Sequence, residues 1–206
     1  MGARVTAFTD AQMNRPLFEE PTPALERVDP SEGPWGFMVG GMANLTFQHV
    51  GQQYFDAAYL LSEKIRNGDW EDHRLANPVL YLYRHSVELF LKAALGNAAK
   101  THDLGGLADQ FQAFIKTEFD TDLPDWIAKR LKELAAIDPN STAFRYSQNY
   151  DKAAKKDVPV DGEFHVDLAH LQSAMAALNT ALVGVIAAVA RGEGKSASSK
   201  PLKDGS

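Results

Sequence analysis

Eight apolar residues near the C-terminal end, Phe164, Leu168, Leu171, Met175, Leu178, Leu182, Val185 and Val189, follow one another at alternating steps of four and three. Steps of that size return to one side of an α-helix, so the segment reads as a helix with a continuous apolar seam. Such a seam has to be covered. Packing inside a helical bundle does this, and so does an intermolecular zipper; the bundle is the expectation. Residues 173–190 also approach the length of a membrane span. They are dominated by alanine and interrupted by Asn179, Thr180 and Gly184, which suits a bundle helix better than a bilayer.

The rest of the chain is helical in pattern. Phe47, Val50, Tyr54, Ala57, Ala58, Leu61 and Ile65 recur at helical spacing up to Asn67-Gly68, a C-terminal stop. Asn77-Pro78 reads as the opening of the next helix, since asparagine caps well and proline at the first position gives up a donor that would be unpaired anyway. That helix runs to about Leu95 with apolar residues on nearly every side and ends at Gly96, which marks it as the central helix. Thr101-His102-Asp103 introduces a third helix and Leu123-Pro124 a fourth, closed by Pro139. Residues 141–161 read as an irregular connection. No strand pattern or internal repeat stands out, so the expected fold is all-α, an up-and-down bundle of about five helices over residues 46–191.

Flanking segments differ in composition. Residues 1–45 carry Pro16, Pro21, Pro23, Pro30 and Pro34 and read as an extended arm, with Trp35, Phe37 and Met38 as anchors. Residues 192–206 are rich in Gly, Ser and Lys and read as a disordered tail. The N-terminus has no unbroken apolar core of signal-peptide length, and the whole chain has no cysteine, which removes disulfides, thiol nucleophiles and Cys-based zinc sites and fits a cytoplasmic protein. With 27 acidic against 21 basic residues the net charge is −6. A general electrostatic grip on nucleic acid is therefore disfavoured, and any RNA contact has to be local.

The common catalytic signatures are missing: no glycine-rich phosphate loop, no Gly-x-Ser-x-Gly elbow and no His-Glu-x-x-His pair. No cofactor or metal is expected. His165 and His170 fall on different helix faces, and Asp69, Glu71, Asp72 and His73 fit a solvated loop better than a hard-metal site. More specific is the central helix, where Arg84, Glu88 and Lys92 fall at i, i+4 and i+8 and line one stripe of an otherwise apolar surface. Charges there need partners. His102-Asp103 follows at the next turn and Phe144-Arg145-Tyr146 lies in the irregular connection, both placed to supply them. Two readings stay open: a salt-bridge and capping network that fixes the bundle, or a phosphate or nucleotide site built from surplus positive charge.

At these residues the chain resembles the HEPN superfamily, compact helical bundles found in bacterial defence and toxin systems. The resemblance rests on residues 84–95, Arg-His-Ser-Val-Glu-Leu-Phe-Leu-Lys-Ala-Ala-Leu, then His102-Asp103-Leu104 with Leu107, then Phe144-Arg145-Tyr146, and spans about residues 47–190. It implies association with RNA or nucleotides and a homodimer, and the expected partners extend to an antitoxin or a nucleotidyltransferase; the composition of residues 173–190 leads to the expectation of no membrane. In many relatives it also implies metal-independent ribonuclease activity from an arginine followed a few residues later by a histidine. Neither Arg145 nor Arg130 is so followed; the fit is Arg66 with His73, six residues apart in between, at a position between the first two helices that departs from the family pattern. On the ribonuclease reading His73 is the general acid or base and Arg66 steadies the phosphate. The expected binding residues are Arg84, Glu88, Lys92, His102, Asp103, Arg145 and Tyr146. The rival from another class is a noncatalytic protein that dimerises or holds a partner through the seam of its last helix.

Overall fold

A computed structural model describes residues 45–96, 101–139, 141–146, 148–151, 153–159 and 164–195, together with 9, 11 and 14–18. The chain divides into two compact units, residues 1–44 and 45–206. The expected anchors Trp35, Phe37 and Met38, and the tail beyond Lys195, lie outside the described residues.

The second unit is an all-α bundle. Helix α1 (Phe47–Arg66) starts at Thr46, whose hydroxyl accepts from the His49 amide, and stops at Asn67 with Gly68 at φ +72°, a left-handed conformation that glycine adopts without steric cost. Helix α2 (Asp72–Ala94) begins before the expected Asn77-Pro78 start and carries Pro78 inside it. Asp72 in the first turn suits the positive end of the helix, and the proline's lost hydrogen bond falls in the solvent-exposed part ahead of Val79, where the chain is not yet packed. Helix α3 (Leu104–Phe119) is capped by the Asp103 carboxylate and ends at Asp120 with φ +56°. Helix α4 (Asp125–Ile137) follows Pro124 and ends at Asp138.

The described residues between 141 and 159 form regular elements that their composition does not announce. They hold a single turn, α5 (Ala143–Tyr146), and an antiparallel hairpin of β1 (Gln148–Asp151) and β2 (Lys156–Pro159), with Gln148 opposite Pro159 and Asp151 opposite Lys156. The hairpin is closed by chemistry rather than by apolar alternation: the Asp151 carboxylate accepts from the amides of Ala153 at 2.8 Å and Ala154 at 3.0 Å. Helix α6 (Leu168–Ala190) is capped by Asp167, whose carboxylate accepts from Ala169 and His170. Beyond it, Lys195 lies 3.3 Å from Asp120 at the end of α3.

Helix α2 is the centre, with Val79, Tyr83, Val87, Phe90, Leu91 and Ala94 all buried. Helix α1 lies along it and approaches closely at Gly51, where an added Cβ would stand 3.2 Å from the Phe90 ring. Helix α6 runs antiparallel to α1: Gln172 bonds Glu63 and the Tyr59 carbonyl, while Asn179 further along α6 bonds Gln52 further back along α1. Met175, Leu178 and Leu182 of its seam are buried in the core and Leu171 and Val185 pack against it, so the seam is an intramolecular face. Phe164 and Val189 at the two ends remain exposed. Helices α3 and α4 close the other side through Leu107, Phe111 and Ile115 with Ile127 and Leu131. The outward side of α6 has no charged residue between Leu171 and Ala190, and the helix is long and apolar enough to cross a membrane, with a mean hydropathy of 1.9 over a window of which 17% is buried.

Candidate functional site

The stripe on α2 is not a surface stripe. Arg84 and Glu88 are 0% exposed and Lys92 is 6% exposed, because α3, α5 and the end of α4 pack over this side of the helix. Buried charges persist only when paired and hydrogen-bonded. Arg84 Nη1 donates to Glu88 Oε2 at 2.7 Å, its Nε to the Asp138 carbonyl at 2.9 Å, and its Nη2 to the His102 carbonyl at 2.6 Å. One guanidinium thus ties α2 to the residues that precede α3 and follow α4. Lys92 Nζ donates to Glu88 Oε1 at 2.9 Å, and the same oxygen lies 2.9 Å from His102 Nδ1.

Asp138 completes the set and was not singled out in the sequence. It is fully buried: Oδ1 accepts from the amides of Thr142 at 2.7 Å and Ala143 at 3.0 Å, while Oδ2 stands 3.3 Å from Arg84 Nε. That Nε directs its hydrogen bond to the backbone carbonyl, so the carboxylate contributes charge rather than a second bond. The signal for it was Asp-Pro at a helix end, with its amide partners at the start of the next turn. Two cations, Arg84 and Lys92, therefore face two anions, Glu88 and Asp138. Burial pushes the Glu88 carboxyl up, but the bonds from Lys92 and Arg84 outweigh it and hold the group below its usual range.

Among the described residues this network presents one group to solvent. The His102 side chain is 60% exposed, while its Nδ1 is held by the buried Glu88. In a neutral imidazole, a hydrogen bond donated from Nδ1 to the carboxylate leaves Nε2 as the acceptor, so this contact orients the ring for an exposed polar contact. Asp103 beside it is the cap of α3, its carboxylate accepting from Gly106 at 3.1 Å, and Thr101 accepts from the Asp103 amide.

A second layer adjoins the first. His85, also missed in the sequence, stacks on Tyr81 with ring centroids 5.6 Å apart and planes 8° apart, and meets Tyr54 of α1 edge-on at 4.6 Å. Its Nδ1 is buried without a hydrogen bond, 4.0 Å from Glu88 Oε2, and burial holds the ring below its ordinary value of 6.5 despite that carboxylate. Arg145 of α5 lies over Tyr81 at 5.8 Å and over Tyr146 at 5.2 Å, and its Nε donates to the carbonyl of Ser141, which adopts φ +61°. Burial pushes the Tyr81 hydroxyl up and Arg145 opposes this. Of the expected binding residues, then, Arg84, Glu88 and Lys92 lie beneath the surface, whereas His102, Asp103, Arg145 and Tyr146 lie on it.

Arg66 and His73 are not brought together. Arg66 Nη1 bonds Glu63 at 3.1 Å and Gln172 at 2.6 Å, anchoring α1 to α6, while His73 is exposed between Glu71 at 3.7 Å and Asp72 at 3.8 Å. No hydrogen bond or ion pair joins the two among the described residues, and among those residues no group of three His, Asp or Glu side chains is disposed to hold a metal. Comparison of the chain with protein-family models, with curated proteins and with solved structures gives no significant match.

Proposed function

We propose that this is a HEPN-like module of the cytoplasm that associates with RNA or a nucleotide through the face formed by His102, Arg145 and Tyr146. The observation that carries the reading is the exposed His102 held on a fully buried, doubly paired carboxylate. Four buried charged groups support one imidazole, a costly arrangement whose exposed product is a single polar group. In a chain of net charge −6, Arg145, which has no carboxylate partner among the described residues, supplies a local attraction for an anion that the molecule as a whole lacks. Membership of a defence or toxin–antitoxin system, with an antitoxin or nucleotidyltransferase as partner, is part of the same proposal and follows from the resemblance of residues 84–95 and 102–104.

The test is a gel-retardation and cleavage assay on mixed cellular RNA in chelator, with wild type, His102→Ala and His73→Ala side by side. Retardation that His102→Ala weakens supports the module. Cleavage abolished by His73→Ala alone would favour the ribonuclease reading on Arg66 and His73. A folded wild type that neither binds nor cleaves removes the nucleic-acid reading.

A second reading has its own support in the uncharged outer side of α6. With the seam turned inward, a noncatalytic homodimer or partner-holding protein would use the opposite face, where Ala177, Thr180 and Gly184 are exposed. Light scattering on wild type and Ala177→Glu tests it, since a charge at the centre of such an interface converts a dimer to a monomer.

A further inference from the structure

Every other arginine between residues 45 and 195 has a carboxylate: Arg66 has Glu63, Arg74 has Glu71, Arg84 has Glu88 and Asp138, Arg130 has Glu133, and Arg191 has Glu193. Arg145 has none among the described residues. Among the described residues of this acidic protein the arginine paired with a carboxylate is the rule, and the exception sits among aromatic rings. Tyr54, His85 and Tyr81 form a run of rings from α1 across α2, and Arg145 lies over its last member. The Ser141 carbonyl accepts a hydrogen bond from Arg145 Nε, which orients the guanidinium plane, and among the described residues the terminal nitrogens have no hydrogen-bond acceptor. Tyr146 closes the run, with the cation 5.2 Å from its ring centroid and 65% of the residue exposed.

We propose that Arg145 and Tyr146 form a subsite for an unpaired nucleotide, in which the exposed ring of Tyr146 stacks on the base and the Arg145 guanidinium binds the phosphate. The inference rests on the proposed nucleic-acid function and gives its ligand class: a base with a free face, as in single-stranded RNA or a free nucleotide, and not a duplex. The pairing follows from chemistry. A fixed guanidinium with paired terminal donors matches a phosphate, and an exposed aromatic ring backed by a cation presents a stacking surface that any base can use. Bases inside a duplex have no free face, so the subsite discriminates by strandedness rather than sequence.

The test is fluorescence anisotropy with a labelled oligoadenylate of about ten nucleotides, the same strand annealed to its complement, and AMP and inorganic phosphate as competitors. Variants are Tyr146→Ala, Tyr146→Phe and Arg145→Ala; Trp126→Ala, another exposed aromatic, on α4, is the control. Circular dichroism checks that each folds, which the exposure of Tyr146 favours. The expected result is binding of the single strand about tenfold tighter than the duplex, a loss of about tenfold in Tyr146→Ala and retention in Tyr146→Phe. Arg145→Ala weakens binding and flattens its salt dependence. Competition by AMP as strong as that by the strand assigns a free nucleotide, and weaker competition assigns RNA. Unchanged affinity in Tyr146→Ala, equal binding of duplex, or phosphate competing as well as AMP overturns the stacked-base subsite while leaving the broader function standing. Failure of folded wild type to bind any probe overturns both.

Discussion

Replacing Glu88 with glutamine removes one charge from a balanced buried set of four while keeping the size of the side chain. The amide has one acceptor oxygen where the carboxylate had two, and those two receive Arg84 at 2.7 Å and Lys92 and His102 at 2.9 Å each. Arg84 retains the carbonyls of Asp138 and His102, whereas Lys92 has no second hydrogen-bond acceptor among the described residues. The amide oxygen therefore turns toward Lys92, and its NH2 opposes the Arg84 guanidinium, donor against donor. One positive charge is left uncompensated in a site with almost no solvent. Breaking a buried pair from one side costs about 3 kcal/mol, which corresponds to a fall in Tm of about 6–12 °C for a domain of this size. Adding Lys92→Met restores the charge balance between Arg84 and Asp138, so the double variant should cost less than the sum of the singles by about 1–3 kcal/mol. Urea unfolding followed by circular dichroism measures all three. A Glu88→Gln variant within about 1 kcal/mol of wild type, or strictly additive singles, refutes the view that these charges act as one unit.

Three further outcomes follow from the packing. Leu178→Ala, deep in the α6 seam, should lower stability by about 3 kcal/mol, while Ala177→Ser on the outer side should stay within about 0.5 kcal/mol; equal effects in denaturant melts would show the seam is not the inward face. Gly51→Val forces a branched side chain against the Phe90 ring and Leu89 and should cost about 1–3 kcal/mol, and a stabilised variant would contradict the close approach of α1 and α2. His85 is held neutral by burial, so the unfolded chain binds more protons and stability is lost as pH falls from 6.5 through the lower folded value. His85→Phe, which keeps the aromatic contact, should flatten the Tm–pH curve in that window; parallel curves would remove His85 as the source. Glu88 adds its own loss at lower pH, where its depressed carboxyl is finally protonated below 4.5.

The helices were legible because their apolar residues repeat at helical spacing and each strong cap is a local signal, as at Asn67-Gly68, Asp103 and Gly96. The start of α2 was not. Asn77-Pro78 is a sound cap in isolation, but a helix already nucleated at Asp72 continues through it where the proline faces water. The hairpin after α5 lacked an apolar alternation to announce it and depends on Asp151 folding its carboxylate over the turn. At the site, Arg84, Glu88, Lys92 and His102 stood out as charges on an apolar helix and at the turn after it. Asp138 and His85 did not, since one joins the cluster from a position 54 residues away by hydrogen bond to Arg84 and the other looks like a neighbour of the stripe rather than a member.

Residue spacing by itself determined that the chain forms a helical bundle, which helix is central, and that its charged stripe must find partners, because periodicity and the cost of unpaired charge are local properties. Only the tertiary structure decided which charges lie inside. The stripe is one row on one helix, and whether that row faces water or protein depends on where α3, α4 and α5 come to rest. Their packing turned Arg84, Glu88 and Lys92 into a buried support and left His102, Arg145 and Tyr146 exposed. The same packing turned the α6 seam inward and put an uncharged helix side at the surface.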